Sequence, residues 1–342
     1  MSTKSETGAV YVQTNETENT AIAFRRGADG RLERVDAVAT GGAGSTVPHL
    51  PSQGSVVLSG DGSRLLVTNA GSDDVSVFAV GHDGLELLQT LPSGGGAPRS
   101  IAEHGGLVYV LNTGDPSLAG FRLAAGGLEP LDGSRTELPS DADPAQVGFT
   151  PDGSKVVVTE RGANAIAFYA VGPDGRLGEP RVTPSSGPTP YGFAFANGDV
   201  LVVTEAFGAQ KGKAAASSYV VSNGSATPVS RSVGNGRSEI CWAVATGDGR
   251  YAFTTNFADG AVSRYAIAAD GSLALEDAVA GTAIDGATGL RDEDISRDGR
   301  FLYAIDADSR RIFGWGIGND GELSPLGSWE GLPDTVAGLA AS

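Results

Sequence analysis

The chain has 342 residues and a formal net charge of −17, with 41 acidic against 24 basic residues. Such an acidic surface repels nucleic acid and anionic membranes, so we expect neither as a partner. The single cysteine, Cys241, excludes an intramolecular disulfide bond. The N-terminus lacks a signal-type apolar stretch and no run reaches membrane-spanning length, so we expect a soluble cytoplasmic protein.

One sequence pattern repeats along the chain. GDGSRLLVTNAGSDDVSVFAVGHDG at 60–84 is matched by PDGSKVVVTERGANAIAFYAVGPDG and by GDGRYAFTTNFADGAVSRYAIAADG. Each copy has a Gly-containing turn, a β-branched run, a polar turn, a second such run and another Asp-Gly. Seven copies align, about 43–54 residues apart, on one polar position, hereafter the ring residues: Asn15, Asn69, Asn112, Glu160, Glu205, Asn256 and Asp306. A glycine stands seven residues before each, and this period is typical of propeller blades.

Each copy is read as four antiparallel strands, A to D, with apolar residues alternating along them. The ring residue ends strand B. The first copy lacks its own strand A, and the last is followed by VAGLAAS, which resembles one. We therefore predict an all-β chain, one domain over 1–342, folded as a seven-bladed β-propeller. The C-terminal strand completes the N-terminal blade and leaves no open seam.

The ring residues should surround the channel on the face of the B–C turns and D–A connections. Asn and Asp side chains often cap such turns, which is one interpretation of the ring. Glu160 and Glu205 are longer and lie on adjacent blades. Two nearby carboxylates can divide into an acid and a base, or hold a cation, so both are candidate catalytic residues.

Other candidates lie at the expected channel mouth. His49, in a D–A connection, has the pKa range of a general base, although a plain loop histidine fits as well. Arg99 and Arg237 stand near the starts of strand A in blades 3 and 6, where a guanidinium suits a carboxylate or phosphate.

Four residues are candidate substrate contacts. Tyr191 and Trp242 offer flat apolar surfaces but fit a core equally. Lys211 lies in the long B–C loop of blade 5, which is either a mobile lid or a plain surface loop. Asp294 belongs to LRDEDIS, a strand A with four charges that form either a charged wall or internal pairs.

The blade sequence RLLVTNAGSDDVSVFAV resembles YVTN-type repeats, and the cadence PDGSKVVVTE…VGPDGRLGEP resembles the lactonase-type seven-bladed propellers. That family includes propeller-type bacterial 6-phosphogluconolactonases and fungal carboxymuconate lactonising enzymes. The resemblance implies a cofactor-free site with one His, two Arg and one Glu at the channel mouth. Glu205 matches the Glu, and Arg237 or Ser238 matches one Arg. Pro190, or a residue beside it, stands at the other Arg position and Ala145 at the His position, while Gly-Ala-Pro-Arg occurs instead at Arg99.

Three functions remain open. The first is a cofactor-independent, lactonase-like hydrolase, or a related cyclase or isomerase, acting on a small lactone or organic acid. The second is a metal site for Ca²⁺ or a similar hard cation, built from Glu160, Glu205 and Asp306 together with ring asparagines. The third is a non-catalytic propeller that binds a protein or a small ligand.

Overall fold

The computed structural model describes residues 8–48, 50, 53–82, 84–196, 198–284 and 287–342. Blade 1 begins with strands β1 to β3, and blades 2 and 3 follow with β4 to β7 and β8 to β12. In chain order these strands are Gly8–Gln13, Thr20–Arg26, Leu32–Ala39; Val56–Leu58, Arg64–Asn69, Asp74–Gly81, Gly84–Pro92; Pro98–His104, Leu107–Asn112, Ser117–Ala124, Gly127–Pro130 and Thr136–Glu137.

Blades 4 to 7 each contain four strands, β13 to β28, and the last strand of the chain is β29. In chain order these are Pro144–Phe149, Lys155–Glu160, Ala165–Val171, Leu177–Pro184; Pro190–Ala196, Val200–Glu205, Ala215–Ser222, Ser225–Gly234; Ile240–Ala245, Tyr251–Asn256, Ala261–Ile267, Leu273–Thr282; Leu290–Ile295, Phe301–Asp306, Arg311–Ile317, Leu323–Trp329; and Ala337–Ala341. Two short 3-10 turns, Phe207–Ala209 and Phe257–Asp259, follow strand B in blades 5 and 6.

The predicted seven-bladed propeller and its closure are confirmed. The strands form seven antiparallel sheets in the order A-B-C-D, and β29 pairs with β1 as strand A of blade 1. Blade 3 departs from the pattern because its outer strand is split into β11 and β12. Between the two pieces, the Ser134 hydroxyl bonds the amide and the carbonyl of Gly120 in place of a strand.

The core is a ring of apolar clusters, one between each pair of neighbouring blades. The strand RLLVT shows why strand B is apolar at consecutive positions. Leu65 and Val67 pack toward blade 1, whereas Leu66 packs toward blade 3. Since successive side chains of a strand point to opposite faces, a sheet buried on both faces needs apolar residues throughout.

No helix in the described part of the chain is long and apolar enough to cross a membrane.

Aspartates in four A–B turns accept a hydrogen bond from a Ser or Thr hydroxyl two residues earlier, at 2.6–2.7 Å; they are Asp61, Asp152, Asp248 and Asp298. In Asp152 the Thr150 hydroxyl and the Ser154 amide and hydroxyl lower the pKa to about 2. This is the self-bonded turn that Asx residues favour. The turns therefore stabilise the native state in proportion to the ionised fraction of their aspartates.

We predict that Asp152→Asn lowers the melting temperature at pH 7 by about 2 °C, since one exposed, solvent-screened turn contact is lost. The pKa is lower in the folded state, so the wild-type advantage is full above the ordinary value and disappears as pH falls toward 2. Melting curves from pH 2.5 to 7 test this, with the exposed Asp199→Asn as the matched control. An equal shift in both variants, or one independent of pH, would contradict the prediction.

Candidate functional site

The ring residues fasten loops. All are buried, and in blades 3 to 7 each pairs across the ladder with the first residue of strand A, so that the two side chains share a face of the sheet. The Asn15 amide donates to Ser45 and to the Val47 carbonyl, and Asn69 accepts from the Thr40 hydroxyl. Asn256 accepts from the Asn235 amide. These contacts tie the ends of strand B to D–A connections, whereas the turn-capping interpretation expected bonds within the B–C turn.

Glu205 is bound on both of its carboxylate oxygens. Oε1 accepts from the Gly187 amide at 2.8 Å and from the Ser217 hydroxyl at 2.6 Å, and Oε2 accepts from the Ser232 hydroxyl at 2.6 Å. Ser217 and Ser232 lie on strands C and D of the same blade, and Gly187 lies in the connection that leads into it. The carboxylate therefore links strands C and D of blade 5 to the connection that enters the blade. Both of its oxygens accept hydrogen bonds from the protein.

Glu160, the equivalent residue of blade 4, differs. It is 2% exposed, and its carboxylate makes no hydrogen bond to any described residue. Burial, and secondly the charge of Asp141, raises the pKa of Glu160. An uncommitted carboxylate with a raised pKa can exchange protons nearer to neutral pH than an exposed glutamate can.

The side chains at the mouth come from another register, the second residue of strand A. In blades 3 to 7 this set, hereafter the mouth tier, consists of Arg99, Ala145, Tyr191, Cys241 and Arg291. In the same blades a residue with positive φ stands two positions earlier: Ala97, Asp143, Thr189, Glu239 and Gly289. Its carbonyl accepts the amide that follows the ring residue, at 2.9–3.2 Å. This repeated bond sets where each tier residue enters the channel.

Two arginines lie close enough to repel each other: Arg99 of the tier in blade 3, and Arg161, which follows the ring residue of blade 4. Arg99 is partly buried, makes no ion pair with a described residue, and its Nε is buried without a hydrogen-bond partner. Burial, and secondly the charge of Arg161, lowers its pKa. Arg161 contacts Asp143 at 2.6 Å, and its guanidinium carbon lies 4.9 Å from the centre of the Tyr191 ring. Asp143 thus pairs with Arg161 and not with Arg99, which leaves a place for an anion beside Arg99.

An aromatic wall continues from these arginines. The Tyr191 and Trp242 rings lie 4.7 Å apart between centroids, at 48°. Tyr191 is 8% exposed and Trp242 is 1% exposed, and both belong to one buried apolar cluster that also contains Ala145 and Cys241. Burial raises the pKa of the Tyr191 hydroxyl, so the phenol stays protonated at neutral pH. The wall can therefore offer a flat surface and a hydrogen-bond donor.

Strand A of blade 7 carries buried charged side chains, beginning with the tier residue Arg291. Nη2 of Arg291 donates to the Val336 carbonyl at 2.6 Å, but Nε and Nη1 are buried without partners among the described residues. Asp292 accepts the Gly338 amide on one oxygen, and burial raises its pKa to about 6. Burial also raises the pKa of the Cys241 thiol to about 12, so the cysteine is protonated and unsuited as a nucleophile.

The remaining sequence candidates are dispersed. Arg237 lies in the D–A connection, three residues before strand A of blade 6, rather than at the strand start that we expected. Lys211 is exposed on the loop that follows the 3-10 turn of blade 5. Asp294 accepts the Ile295 and Ala341 amides and lines the channel near the A–B turns, away from the mouth. His49 falls outside the described residues.

Sequence reasoning missed Arg161. It directly follows the ring residue of blade 4, where blades 2, 3, 5 and 7 have Ala70, Thr113, Ala206 and Ala307. Blades 1 and 6 have Glu16 and Phe257 there, so Arg161 is the one basic residue at this position of the repeat.

Within the described residues, no three His, Cys, Asp or Glu side chains come together as a metal site would require. Glu160, Glu205 and Asp306, the set considered for Ca²⁺, lie on blades 4, 5 and 7, and Glu205 is fully engaged by protein donors. The described residues therefore give the metal alternative no support.

We predict that Glu205→Ala lowers the free energy of unfolding by about 3 kcal/mol, because three buried or part-buried donors lose their acceptor. Glu205→Gln should cost less, since one oxygen can still accept. Urea unfolding measures both. The matched control is Glu160→Ala, which removes an equally buried glutamate without hydrogen bonds to described residues and should change the stability by less than about 1 kcal/mol. An equal loss in the two alanine variants would show that the Glu205 bonds are not stabilising.

The family model described as lactonase, 7-bladed beta-propeller, matches residues 3–136, 105–207 and 202–330. No curated protein matches the chain. Similar solved structures include a provisionally assigned 6-phosphogluconolactonase from Bacteroides uniformis, 19% identical, with a TM-score of 0.75 over 97% of this chain and 99% of that chain. Another, with the same provisional assignment, from Bacteroides fragilis is 17% identical, with a TM-score of 0.76 over 99% of each chain.

The periplasmic gluconolactonase PpgL of Pseudomonas aeruginosa is 18% identical, with a TM-score of 0.75 over 98% of this chain and 99% of that chain. At such identities the structural likeness concerns the fold alone. The family model, in contrast, spans nearly the whole sequence. The chain therefore belongs to the lactonase family of seven-bladed β-propellers.

Proposed function

We propose that this protein opens, or in reverse closes, the lactone ring of a small anionic organic acid at the channel mouth, without a cofactor. Family membership supports the reaction class, and the mouth supports the charge of the substrate. The observation that carries the proposal is Arg99, a partly buried guanidinium without an ion pair to any described residue, beside a second arginine.

The charge distribution favours an anion at this place. The chain as a whole carries −17, yet among the described residues Arg161 pairs with Asp143 and Arg99 pairs with no carboxylate. Desolvating an unpaired guanidinium is costly, so such a group is retained where a ligand completes its hydrogen bonds. Arg237 and Lys211, farther out in the connections of blades 5 and 6, would draw an anion toward the mouth.

In the proposed reaction a water oxygen attacks the lactone carbonyl carbon. A carboxylate takes one proton from that water, the carbon–ring oxygen bond breaks, and the proton passes to the departing ring oxygen. The product is a hydroxy acid. Arg99 holds the anionic substituent, while Arg161 stabilises the negative charge that develops on the carbonyl oxygen. Tyr191 provides the surface on which the ring lies.

We assign the proton transfer to Glu160 rather than to Glu205. Both oxygens of Glu205 accept hydrogen bonds from the protein, whereas Glu160 is free of such bonds to described residues. Ala145 occupies the position that the family resemblance gives to a histidine, so a carboxylate is the remaining candidate, and Glu160 ends the strand that pairs with the strand of Ala145. Since its pKa is raised, activity should fall with decreasing pH earlier than an ordinary glutamate would allow.

We predict that Arg99→Ala raises KM for carboxylate-bearing lactones about 10- to 100-fold, because a charge-assisted contact is lost. Arg99→Lys should restore part of the affinity, since it keeps the charge without the planar fork. Hydrolysis followed by pH-stat, on matched lactones with and without a carboxylate, measures the effect. Arg135→Ala is the control, because Arg135 pairs with Asp115 and Glu137 on the outer rim.

Three outcomes separate the alternatives. Equal turnover of neutral and anionic lactones, unaffected by Arg99→Ala, would refute the assigned role. Arg99-dependent binding of organic acids without turnover of any lactone would identify a binding propeller instead. Loss of activity with EDTA and recovery with Ca²⁺ would establish the metal-dependent alternative.

A further inference from the structure

A glutamine crosses the channel. Gln53 lies in the connection from blade 1 to blade 2, and its side-chain amide meets the inner strand of blade 6. Nε2 donates to the Ala243 carbonyl at 3.0 Å, and Oε1 accepts the Ala243 amide at 3.3 Å. Blades 2 and 6 are three blades apart around the ring of seven, so this pair of bonds spans the central channel.

The backbone around Gln53 is anchored on the opposite wall. Its carbonyl accepts the Ser100 hydroxyl at 2.6 Å, and the Gly54 carbonyl accepts the Ile101 amide at 2.7 Å, both from blade 3. Gly54 has a φ of +79°, and a Cβ there would lie 3.1 Å from the Ile101 carbonyl oxygen. The glycine permits this close approach, so Gln53 is held from both sides.

Below Gln53 the channel is hollow. Two cavities, of about 400 and 320 Å³, adjoin one another, and Gln53 lines both. Together they contact the inner strands of all seven blades, on the side of the A–B turns. No member of the mouth tier lines either cavity. Gln53 therefore separates the mouth from a lower compartment. The walls of that compartment combine apolar and charged side chains, among them Val57, Val147, Leu339, Glu293, Asp294 and Arg297.

We infer that Gln53 is the specificity-determining floor of the site: its side chain limits the substrate to a small ring with a short substituent by closing the mouth from the lower channel. The inference rests on the proposed function for the location of the substrate. Gln146 also lines the lower channel, but its amide binds Phe193 on the adjacent blade and does not cross. Removing the Gln53 side chain should let an alkyl chain pass downward.

The test uses binding, so that it does not depend on turnover. Linear carboxylates from propionate to decanoate are titrated by calorimetry into wild type, Gln53→Ala and Gln53→Leu. In wild type the affinity should stop rising after the first few carbons. In Gln53→Ala it should go on rising, by about twofold per methylene. This is less than the roughly fourfold gain of a fully apolar space, because charged side chains share the walls. Gln53→Leu fills the volume without hydrogen bonds and should behave as wild type.

Identical chain-length profiles in wild type and Gln53→Ala would overturn the inference, and so would a wild-type affinity that rises along the whole series. If Gln53→Ala fails to fold, Gln53→Ser provides the same opening with one polar atom. Adding Arg99→Ala separates the two proposals. If the affinity of the double variant still rises with chain length, the role of Gln53 stands and the anion site at Arg99 is refuted. If no carboxylate binds any of the proteins, both proposals fail.

Discussion

One backbone hydrogen bond organises the functional face of this propeller. In blades 3 to 7 the residue two positions before the mouth tier has a positive φ, and its carbonyl accepts the amide just after the ring residue. The bond fastens each D–A connection to the B–C turn of the blade that it enters. Non-glycine residues pay a conformational cost for this geometry, and Ala97, Asp143, Thr189 and Glu239 all adopt it. The bond thereby fixes the height at which Arg99, Tyr191 and Arg291 face the channel.

The backbone hydrogen bond also separates the polar side chains of the ring from those of the mouth tier, and the two sets have different roles. Ring residues point into the blade ends, where they bind connections, and Glu205 with its three donors is the fullest example. Of the tier residues only Arg99 is more than 9% exposed, and it lacks a partner for its charge among the described residues. Loop-binding and anion-binding roles thus fall on different registers of neighbouring strands. Glu160, to which we assign the proton transfer, is the ring residue without side-chain hydrogen bonds to described residues. A chain of repeated units can therefore vary its chemistry at the tier while keeping the ring.

The fold could be predicted from the sequence because its causes are local and repeated. Asp-Gly turns, runs such as RLLVT and a strand-like C-terminus each specify one element, and seven copies reinforce one another. The site could not be predicted as fully. Which face of strand B the ring occupies depends on pairing with the first residue of strand A, so Glu205 looked like a mouth residue. The role of Arg161 depends on its contact with Tyr191 of the next blade, and the role of Gln53 on its hydrogen bonds to Ala243 across the channel. Neither contact is visible within one repeat.

The central claim is that the mouth between Arg99, Arg161 and Tyr191 binds an anionic organic acid. A crystal structure of the protein soaked with the hydroxy-acid product of a carboxylate-bearing lactone tests it most directly. The account predicts the product carboxylate within hydrogen-bond distance of Arg99, its chain against Tyr191 and its end stopped above Gln53. A product bound on another part of the molecule, with Arg99 free of contacts to it, would contradict the account.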